Sequence, residues 1–256
     1  MRIGLFYHKN PEAQKCVREV KKWLKEEHHD PIINRTQGIK LAITFGGDGT
    51  ILHTANKIAE RGMSLPMIRV NFGNVGFLTN VGPERIYERL KEFLNGKNYI
   101  LVKKSRVRVL VNRCGVIKYS GDALNEAFID RISVKATSFI VEDPFQDKEH
   151  SKTLLKGDGI IFSTKTGSTA YNRSAHGPIL VKEDNMAMTM ICPTTNPWSQ
   201  VVCLNEFTRF KVSGFQKGNA RLTLDGKMIM RLNPNDVVVV MKSDKDTIFV
   251  EFGDQI

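Results

Sequence analysis

The hydrophobic pattern of this chain changes near residue 98. Before that point, short apolar runs such as 41–45 alternate with segments of helical period, which indicates a parallel sheet covered by helices. After it, segments such as 99–113 alternate apolar and polar residues with a period of two, as half-buried strands do. We therefore predict a Rossmann-like α/β domain over 1–98, followed by a β-rich, β-sandwich-like domain over 99–256.

Start and stop signals place the helices of the first domain. Asn10 and Pro11 supply a cap residue and a first-turn proline for one helix. Two further helices are predicted over 50–61 and 83–96, the second ending at a glycine. In the second domain, helical periodicity is scarce, and its best example lies around 167–174.

Composition narrows the class of protein. With 256 residues, 41% of them apolar and 25% charged, the chain has the make-up of a soluble globular protein with a proper core. No apolar run approaches the roughly 20 residues that span a bilayer, and the first ten residues lack the apolar segment of a signal peptide. We expect a cytoplasmic protein with no membrane partner. The four cysteines have no metal-ligand spacing, so we predict free thiols and no metal site built by the protein.

The formal net charge of +11 is compatible with two interpretations. One is a solvated lysine surface, and the other is attraction of polyanions, either nucleic acid or small phosphorylated ligands. Basic stretches interleaved with aromatic residues, helix-turn-helix patterns and zinc-finger patterns are all missing from the sequence. Charge alone is a weak signal, and the pattern does not favour nucleic acid as the main partner.

The stretch "TFGGDGTIL" (44–52) places Asp48 among three glycines, between a predicted strand and a predicted helix. Glycines let a ligand approach the backbone, and the N-terminus of the following helix attracts anions. We predict a phosphate-binding loop formed by Gly46, Gly47, Gly49 and Thr50. The alternative is a plain strand-to-helix turn in which Asp48 caps the helix.

A second glycine-bearing loop, "NFGNVGFLT" (71–79), also follows a predicted strand. In an open parallel sheet, the loops at the carboxyl ends of neighbouring strands line one crevice, where ligands bind. We therefore expect this loop, which contains Phe77, to face the same space as the first.

Two polar segments of the second domain are candidates for ligand binding. Asn125 and Glu126 stand side by side, and an amide and a carboxylate suit an adenine edge and ribose hydroxyls, although a β-turn explains the pair equally well. The segment 163–169 concentrates hydroxyl side chains beside glycine. These hydroxyls suit phosphates, ribose or adenine, or the cap of a helix near Ser168; a Ser/Thr-rich linker is the alternative. By contrast, Asp225 and Gly226 predict a two-residue hairpin turn.

Taken together and in this order, the motifs resemble those of the NAD kinase family. The matching positions are 46–50, 76–79, 125–126, 158–159 and 163–171. The resemblance implies transfer of the γ-phosphoryl group of ATP, or of polyphosphate, to the adenosine-ribose 2′-hydroxyl of NAD, giving NADP. It also implies a divalent ion, Mg²⁺ or Mn²⁺, bound mainly through the nucleotide phosphates, and a homodimer or homotetramer.

The resemblance assigns a role to each matching residue. Asp48 becomes the catalytic base. The residues that hold NAD become Gly49, Phe77, Asn125, Glu126, Lys156, Asp158, Thr166, Thr169, Ala170, Tyr171 and Ser174. Among these, Asn125 and Thr166 are expected near adenine, Glu126 near ribose and Asp158 near the nicotinamide end.

Three positions depart from the family's usual pattern. Lys156 stands where an arginine is usual, which keeps the charge and loses the bidentate fork. Lys165 replaces a proline and His176 replaces a glycine.

Two other functions remain open at this level. The GGDGT motif also occurs in kinases that act on lipid or sugar hydroxyls, whereas "LNE" with "TGSTAY" suits a dinucleotide. A non-catalytic protein that binds a dinucleotide or nucleic acid is the third possibility, since a fold alone does not establish activity.

Overall fold

The computed structural model describes residues 1–73, 76–142, 152–194, 201–204 and 209–253. Its backbone divides into two compact units: unit 1 consists of Met1–Lys104 and Asp246–Ile256, and unit 2 of Ser105–Lys245. Among the described helices, none is long and apolar enough to cross a membrane.

Unit 1 contains a six-stranded sheet in the order β2-β1-β3-β4-β18-β5, parallel except for the antiparallel pair of β18 and β5. Its strands are β1 (Arg2–Tyr7), β2 (Asp30–Ile33), β3 (Leu41–Phe45), β4 (Pro66–Val70), β5 (Tyr99–Lys104) and β18 (Thr247–Phe252). Its helices are α1 (Pro11–Glu26), α2 (Asp48–Ala59) and α3 (Ile86–Leu94), the last preceded by a 3-10 turn at Pro83–Arg85. This arrangement confirms the predicted parallel α/β architecture.

Helix α1 forms where a capping residue and an apolar stripe coincide. The Asn10 side chain accepts a hydrogen bond from the Ala13 N–H at 3.0 Å, and Pro11 occupies the first turn of α1. Val17, Val20 and Leu24 are buried along one face of this helix. The short edge strand β2 was not predicted, because Asp30 and Pro31 are poor strand formers.

Unit 2 is built from two antiparallel six-stranded sheets, in the orders β10-β9-β14-β17-β6-β7 and β13-β12-β11-β8-β15-β16. The strands are β6 (Val107–Arg113), β7 (Val116–Ala123), β8 (Glu126–Arg131), β9 (Thr137–Glu142), β10 (Lys152–Gly157), β11 (Gly159–Ser163), β12 (Met186–Ile191), β13 (Val201–Leu204), β14 (Arg209–Ser213), β15 (Ala220–Leu224), β16 (Lys227–Leu232) and β17 (Asp236–Lys242). One continuous core joins inward side chains of both sheets, for example Val109, Phe210, Phe162 and Leu222. Two sheets over one core confirm the predicted sandwich-like fold.

The division into units differs from the predicted one in two respects. Unit 1 extends to Lys104 rather than to residue 98, and it also includes the C-terminal segment from Asp246 onward. The physical reason is that β5 and β18 pair with each other and β18 pairs with β4. The period of two identified both segments as strands, but alternation does not say which sheet a strand joins.

Candidate active site

The first glycine loop of unit 1 connects β3 to α2. A Cβ atom at Gly46 would lie 2.3 Å from the Thr50 Oγ1 atom, so glycine is required there. At Gly47 and Gly49, by contrast, a Cβ atom would meet nothing within 4 Å, and both positions face open space. Gly47 is the N-cap of α2 and supplies no side-chain hydrogen bond, which leaves this helix end suited to an anion.

Asp48 is the first residue of α2 rather than its cap, and its carboxylate binds the second glycine loop. Oδ2 accepts a hydrogen bond from the Phe77 N–H and Oδ1 from the Leu78 N–H, each at 3.0 Å. A Cβ atom at Gly76 would lie 2.3 Å from Asp48 Oδ1, so only glycine allows this approach. The expectation that the two loops face the same space is confirmed, and the helix-capping alternative for Asp48 is wrong.

A buried ion pair supports the loop that binds Asp48. The Arg69 side chain is 5% exposed and pairs with Glu251, with Nη2 and Oε1 2.6 Å apart. Its Nη1 donates a hydrogen bond to the Leu78 carbonyl at 2.7 Å, and the guanidinium lies over the Phe249 ring. Burial lowers the pKa of Arg69, and the charge of Glu251 opposes this shift. Sequence reasoning missed this pair because its members are 182 residues apart.

A cavity of about 680 Å³ adjoins the first glycine loop. It is lined by Phe6, Tyr7, His8, Asn34, Gly47, Gly49, Thr50, His53, Thr54 and Lys57. The Lys57 ammonium donates to the Asn34 carbonyl at 2.7 Å, which places a cation in this wall. A cavity with uncapped backbone N–H groups, a lysine and two histidines suits phosphate groups.

In unit 2, the turn between β7 and β8 carries Asn125 and Glu126. Asp225 lies at the hairpin between β15 and β16, where its φ is 45° and that of Gly226 is 76°, and this confirms the predicted two-residue turn. The carboxylate of Asp225 also accepts hydrogen bonds from the Leu124, Asn125 and Glu126 N–H groups, at 2.8, 2.8 and 3.2 Å. No local sequence signal connects Asp225 to this distant turn.

Three buried polar atoms in this region have no hydrogen-bond partner within the described part of the chain. They are Asn125 Oδ1, Glu126 Oε2 and Thr166 Oγ1. An unpartnered buried polar atom costs free energy. Its occurrence three times in the segments 125–126 and 166 points to a ligand that supplies the missing hydrogen bonds. Burial, and then the charge of Asp225, raises the pKa of Glu126 to about 8. A carboxyl group with that pKa is largely protonated at neutral pH and can donate a hydrogen bond.

The hydroxyl-rich segment forms the predicted helical exception, a 3-10 turn at Gly167–Thr169 followed by α4 (Tyr171–Ser174). Its hydroxyls serve the fold more than was expected: Ser168 Oγ donates to the Lys165 carbonyl at 2.7 Å, and the Thr164 hydroxyl lies 2.6 Å from the Leu124 carbonyl oxygen. The assigned N-cap residues, Thr166 and Ala170, make no side-chain cap bond. The Thr164 hydroxyl nevertheless accepts a hydrogen bond from the Gly167 N–H at 3.2 Å, so a hydroxyl of this segment does bind the start of the 3-10 turn.

Asp158 and Tyr171 line a second cavity, of about 310 Å³. The Asp158 carboxylate receives two hydrogen bonds from Arg131, at 2.6 and 3.3 Å. The Tyr171 ring meets the Phe128 ring edge-on, with centroids 5.1 Å apart. Burial and the charge of Asp130 raise the pKa of Tyr171.

The remaining predicted residues are more exposed. Phe77 is 77% exposed, and Lys156 and Ser174 are exposed, whereas Thr169 and Ala170 are half-buried. Two residues that depart from the family pattern have clear local settings. The Lys165 Nζ atom lies 3.5 Å from the Glu183 Oε1 atom. His176 has a φ of 60°, a conformation that favours glycine. Over the described ranges, no group of three His, Cys, Asp or Glu side chains could hold a metal ion.

Comparisons with known proteins show the family to which the chain belongs. A family model for the ATP-NAD kinase N-terminal domain matches residues 4–99, and one for the ATP-NAD kinase C-terminal domain matches residues 124–252. The chain is 33% identical to an NAD kinase of Methanosarcina acetivorans, over 86% of this chain and 76% of that protein. It is also 33% identical to an NAD kinase of Aquifex aeolicus, over 94% and 90% of the two chains.

Two crystal structures have the same fold. One is yeast NADH kinase complexed with NADH, with a TM-score of 0.81 at 19% identity, covering 98% of this chain and 83% of that one. The other is an NAD kinase from Archaeoglobus fulgidus in complex with ATP, with a TM-score of 0.76 at 22% identity, covering 100% and 95%.

Proposed function

The chain belongs to the ATP-NAD kinase family of phosphotransferases, and we propose that it transfers the γ-phosphoryl group of ATP to the adenosine-ribose 2′-hydroxyl of NAD, giving NADP. Polyphosphate is the alternative donor. The observation that carries the proposal is the set of three unpartnered buried atoms on Asn125, Glu126 and Thr166. An amide, a carboxyl and a hydroxyl together match the edge of an adenosine and the hydroxyls of its ribose.

Asp48 is the proposed catalytic base. In phosphoryl transfer, alignment and neutralisation of charge supply most of the catalysis, and a carboxylate accepts the proton of the attacking hydroxyl. The 2′-oxygen then forms its bond to the γ-phosphorus, the bond between that phosphorus and the leaving oxygen breaks, and ADP departs. Each Asp48 oxygen accepts one backbone N–H, so the carboxylate is held in place and keeps lone pairs for this proton.

The donor phosphates are proposed to bind at the first glycine loop. Gly46, Gly47, Gly49 and Thr50 form this loop, whose backbone N–H groups begin α2. Open space at Gly47 and Gly49, and the adjoining cavity with Lys57, support this assignment.

In unit 2, NAD is proposed to contact Asn125 and Thr166 at adenine, Glu126 at ribose and Asp158 at the nicotinamide end. Tyr171 shares a cavity with Asp158, which supports placing them on one part of the ligand. The other residues proposed to contact NAD are Gly49, Phe77, Lys156, Thr169, Ala170 and Ser174.

The divalent ion, Mg²⁺ or Mn²⁺, is proposed to enter with the donor. Because the described residues form no three-ligand metal cluster, they fit an ion held by phosphate oxygens better than one held in a protein cage. Such an ion would neutralise charge on the transferred group.

We also propose that the protein is a cytoplasmic homodimer or homotetramer and that nucleic acid is not its main partner. Light scattering on the purified protein tests the oligomeric state.

An NADP-coupled assay tests the function. The protein is incubated with NAD, Mg²⁺ and either ATP or polyphosphate, and an NADP-specific dehydrogenase reports the product. We expect NADP formation that depends on protein, donor and metal. If neither donor gives NADP above background while diacylglycerol or a sugar is phosphorylated, the NAD kinase proposal is overturned.

A further inference from the structure

Asp225 occupies a hairpin turn, where an aspartate needs no explanation beyond the turn itself. Its carboxylate, however, does not bond within the turn alone: it accepts hydrogen bonds from three N–H groups of Leu124, Asn125 and Glu126, about 100 residues earlier in the chain. The Asp225 N–H also donates to the Glu126 carbonyl at 3.0 Å. An asparagine would serve an αL turn position followed by glycine equally well, so the turn does not account for the carboxylate.

We propose that Asp225 is a positioning residue for the dinucleotide, whose carboxylate holds the 124–126 backbone in the one conformation that presents Asn125 and Glu126 to NAD. The inference rests on the proposed function. It adds a residue that touches no proposed ligand atom and acts only through the two that do.

The side of the 124–126 turn that faces away from Asp225 is held by a second set of contacts. The Thr164 N–H donates to the Asn125 carbonyl at 2.9 Å, and the Thr164 hydroxyl lies 2.6 Å from the Leu124 carbonyl oxygen. A Cβ atom at Gly167 would lie 2.1 Å from the Asn125 carbonyl oxygen, so this wall is in close contact with the turn. The Leu124 and Asn125 carbonyl groups therefore face Thr164 and Gly167, whereas the N–H groups of 124–126 and the Glu126 carbonyl face Asp225.

Asp225 and Thr164 together hydrogen-bond the backbone of the 124–126 turn, so the side chains of Asn125 and Glu126 remain available to a ligand. Asn125 Oδ1 and Glu126 Oε2 are buried and unpartnered within the described residues, while the peptide groups that carry them are bonded. Pre-organised binding groups lose less conformational entropy when the ligand arrives. Removing the Asp225 carboxylate would free three N–H groups in a buried turn, and the turn would relax to satisfy them.

The charge of Asp225 has a second consequence for the same site. It adds to the effect of burial in raising the pKa of Glu126 to about 8. The charge of Glu126 in turn contributes to raising the pKa of Tyr171. With its pKa raised to about 8, Glu126 stays largely protonated at neutral pH and presents a donor to a ribose oxygen.

Asp225→Asn is the test, since Asn-Gly keeps the hairpin turn and removes the charge. We expect the KM for NAD to rise about 10- to 100-fold, as follows from losing charge-assisted hydrogen bonds, with a smaller change in kcat and an unchanged KM for the donor. The pH at which NAD binding weakens, as Glu126 ionises, should move to a lower value in the variant. Asp184→Asn removes an exposed carboxylate of unit 2 and serves as the charge-matched control.

A merely structural role would lower kcat, the affinity for both substrates and the melting temperature together, without moving the pH inflection, and that result would overturn the inference. So would a wild-type KM and pH profile in the variant. Hydrogen exchange of the unliganded wild type gives a readout that needs no variant: the 124–126 amides should be protected, and exchange at the rate of exposed loops contradicts the proposal. Absence of NADP formation by the wild type would instead count against the proposed function.

Discussion

Asp48 in unit 1 and Glu126 in unit 2 are both carboxyl groups at proposed substrate sites, yet their surroundings differ. Asp48 lies at a helix start, and each of its oxygens accepts a backbone N–H. Glu126 is 6% exposed, and its Oε2 has no partner among the described residues. Burial and Asp225 raise the pKa of Glu126 to about 8. Asp48 is the proposed proton acceptor, whereas Glu126, with its raised pKa, can donate a hydrogen bond at neutral pH.

The difference follows from how each unit builds its site. In the parallel sheet of unit 1, the neighbouring strands β3 and β4 lead into two glycine loops, and backbone groups of the first are proposed to bind phosphates. In the antiparallel sandwich of unit 2, the backbone groups are mostly used by strand pairing, and side chains at the 124–126 turn are proposed to bind the dinucleotide. Unit 1 therefore suits the phosphates, which accept from N–H groups, and unit 2 suits the base and ribose, which need both donors and acceptors.

The largest effect is expected for Asp48→Asn. An amide cannot accept the hydroxyl proton, so kcat should fall about 100- to 10,000-fold while the KM for NAD stays within a few-fold of wild type. Steady-state assays of NADP formation measure both parameters. Asp30→Asn, which removes an exposed carboxylate of unit 1, is the matched control. Near-normal turnover in Asp48→Asn would rule out Asp48 as the catalytic base, and the proposed difference in role between Asp48 and Glu126 would then not hold.

Glu126 should make the stability of unit 2 depend on pH. Its pKa is raised in the folded state from 4.5 to about 8, so its stabilising contribution is complete below pH 4.5 and is lost as the pH rises towards 8. Glu126→Gln removes this dependence. The difference in unfolding free energy between wild type and variant should shift by a few kcal/mol over that range, as followed by urea denaturation without NAD. A constant difference would show that Glu126 titrates normally.

Gly76→Ala tests the placement of Asp48 without altering its carboxylate. The new Cβ atom would lie 2.3 Å from Asp48 Oδ1, and a displaced base should lower kcat about 10- to 100-fold. Gly73→Ala on the same loop is the control, because a Cβ atom there would meet nothing within 4 Å. Equal kcat values for the two variants would contradict the proposed geometry.

Gly167→Ala applies the same test to unit 2. Its Cβ atom would meet the Asn125 carbonyl oxygen at 2.1 Å, and backbone yields less readily than a side chain. We expect a loss of about 1 to 3 kcal/mol in unfolding free energy and a higher KM for NAD. Lys165→Ala, which removes only a partly exposed ion pair with Glu183, should have little effect on either quantity. Wild-type stability in Gly167→Ala would mean that the turn is not held tightly.

The smallest effect is expected for His176→Gly. Because His176 has a φ of 60°, glycine should stabilise the folded protein by about 0.5 to 1 kcal/mol. Thermal denaturation measures the gain, and the KM for NAD should not change. A changed KM would show that this departure from the family pattern affects the binding site as well as the fold.

Much of the fold was predictable because its signals are local. A helical period and a cap at Asn10 predict α1, and a period of two predicts the strands of unit 2. The motifs at 46–50 and 163–171 identified the family, since spacing and residue type in a loop reflect the ligand it contacts. The Asp225–Gly226 turn was predictable for the same reason: its conformation depends on the two residues themselves.

What the sequence determined by itself is therefore the element types, the two-part architecture and the family. Only the tertiary structure decided that β18 returns to unit 1, that Arg69 and Glu251 support the loop beneath Asp48, and that Asp225 holds the Asn125–Glu126 turn. It also decided that the Ser168 hydroxyl bonds to the Lys165 carbonyl, whereas Thr166 Oγ1 has no partner among the residues that the structure describes. For β18, the Arg69–Glu251 pair and the Asp225 contacts, the physical reason is sequence separation: a periodic pattern or a turn involves about ten neighbouring residues, whereas these contacts join residues more than 90 positions apart.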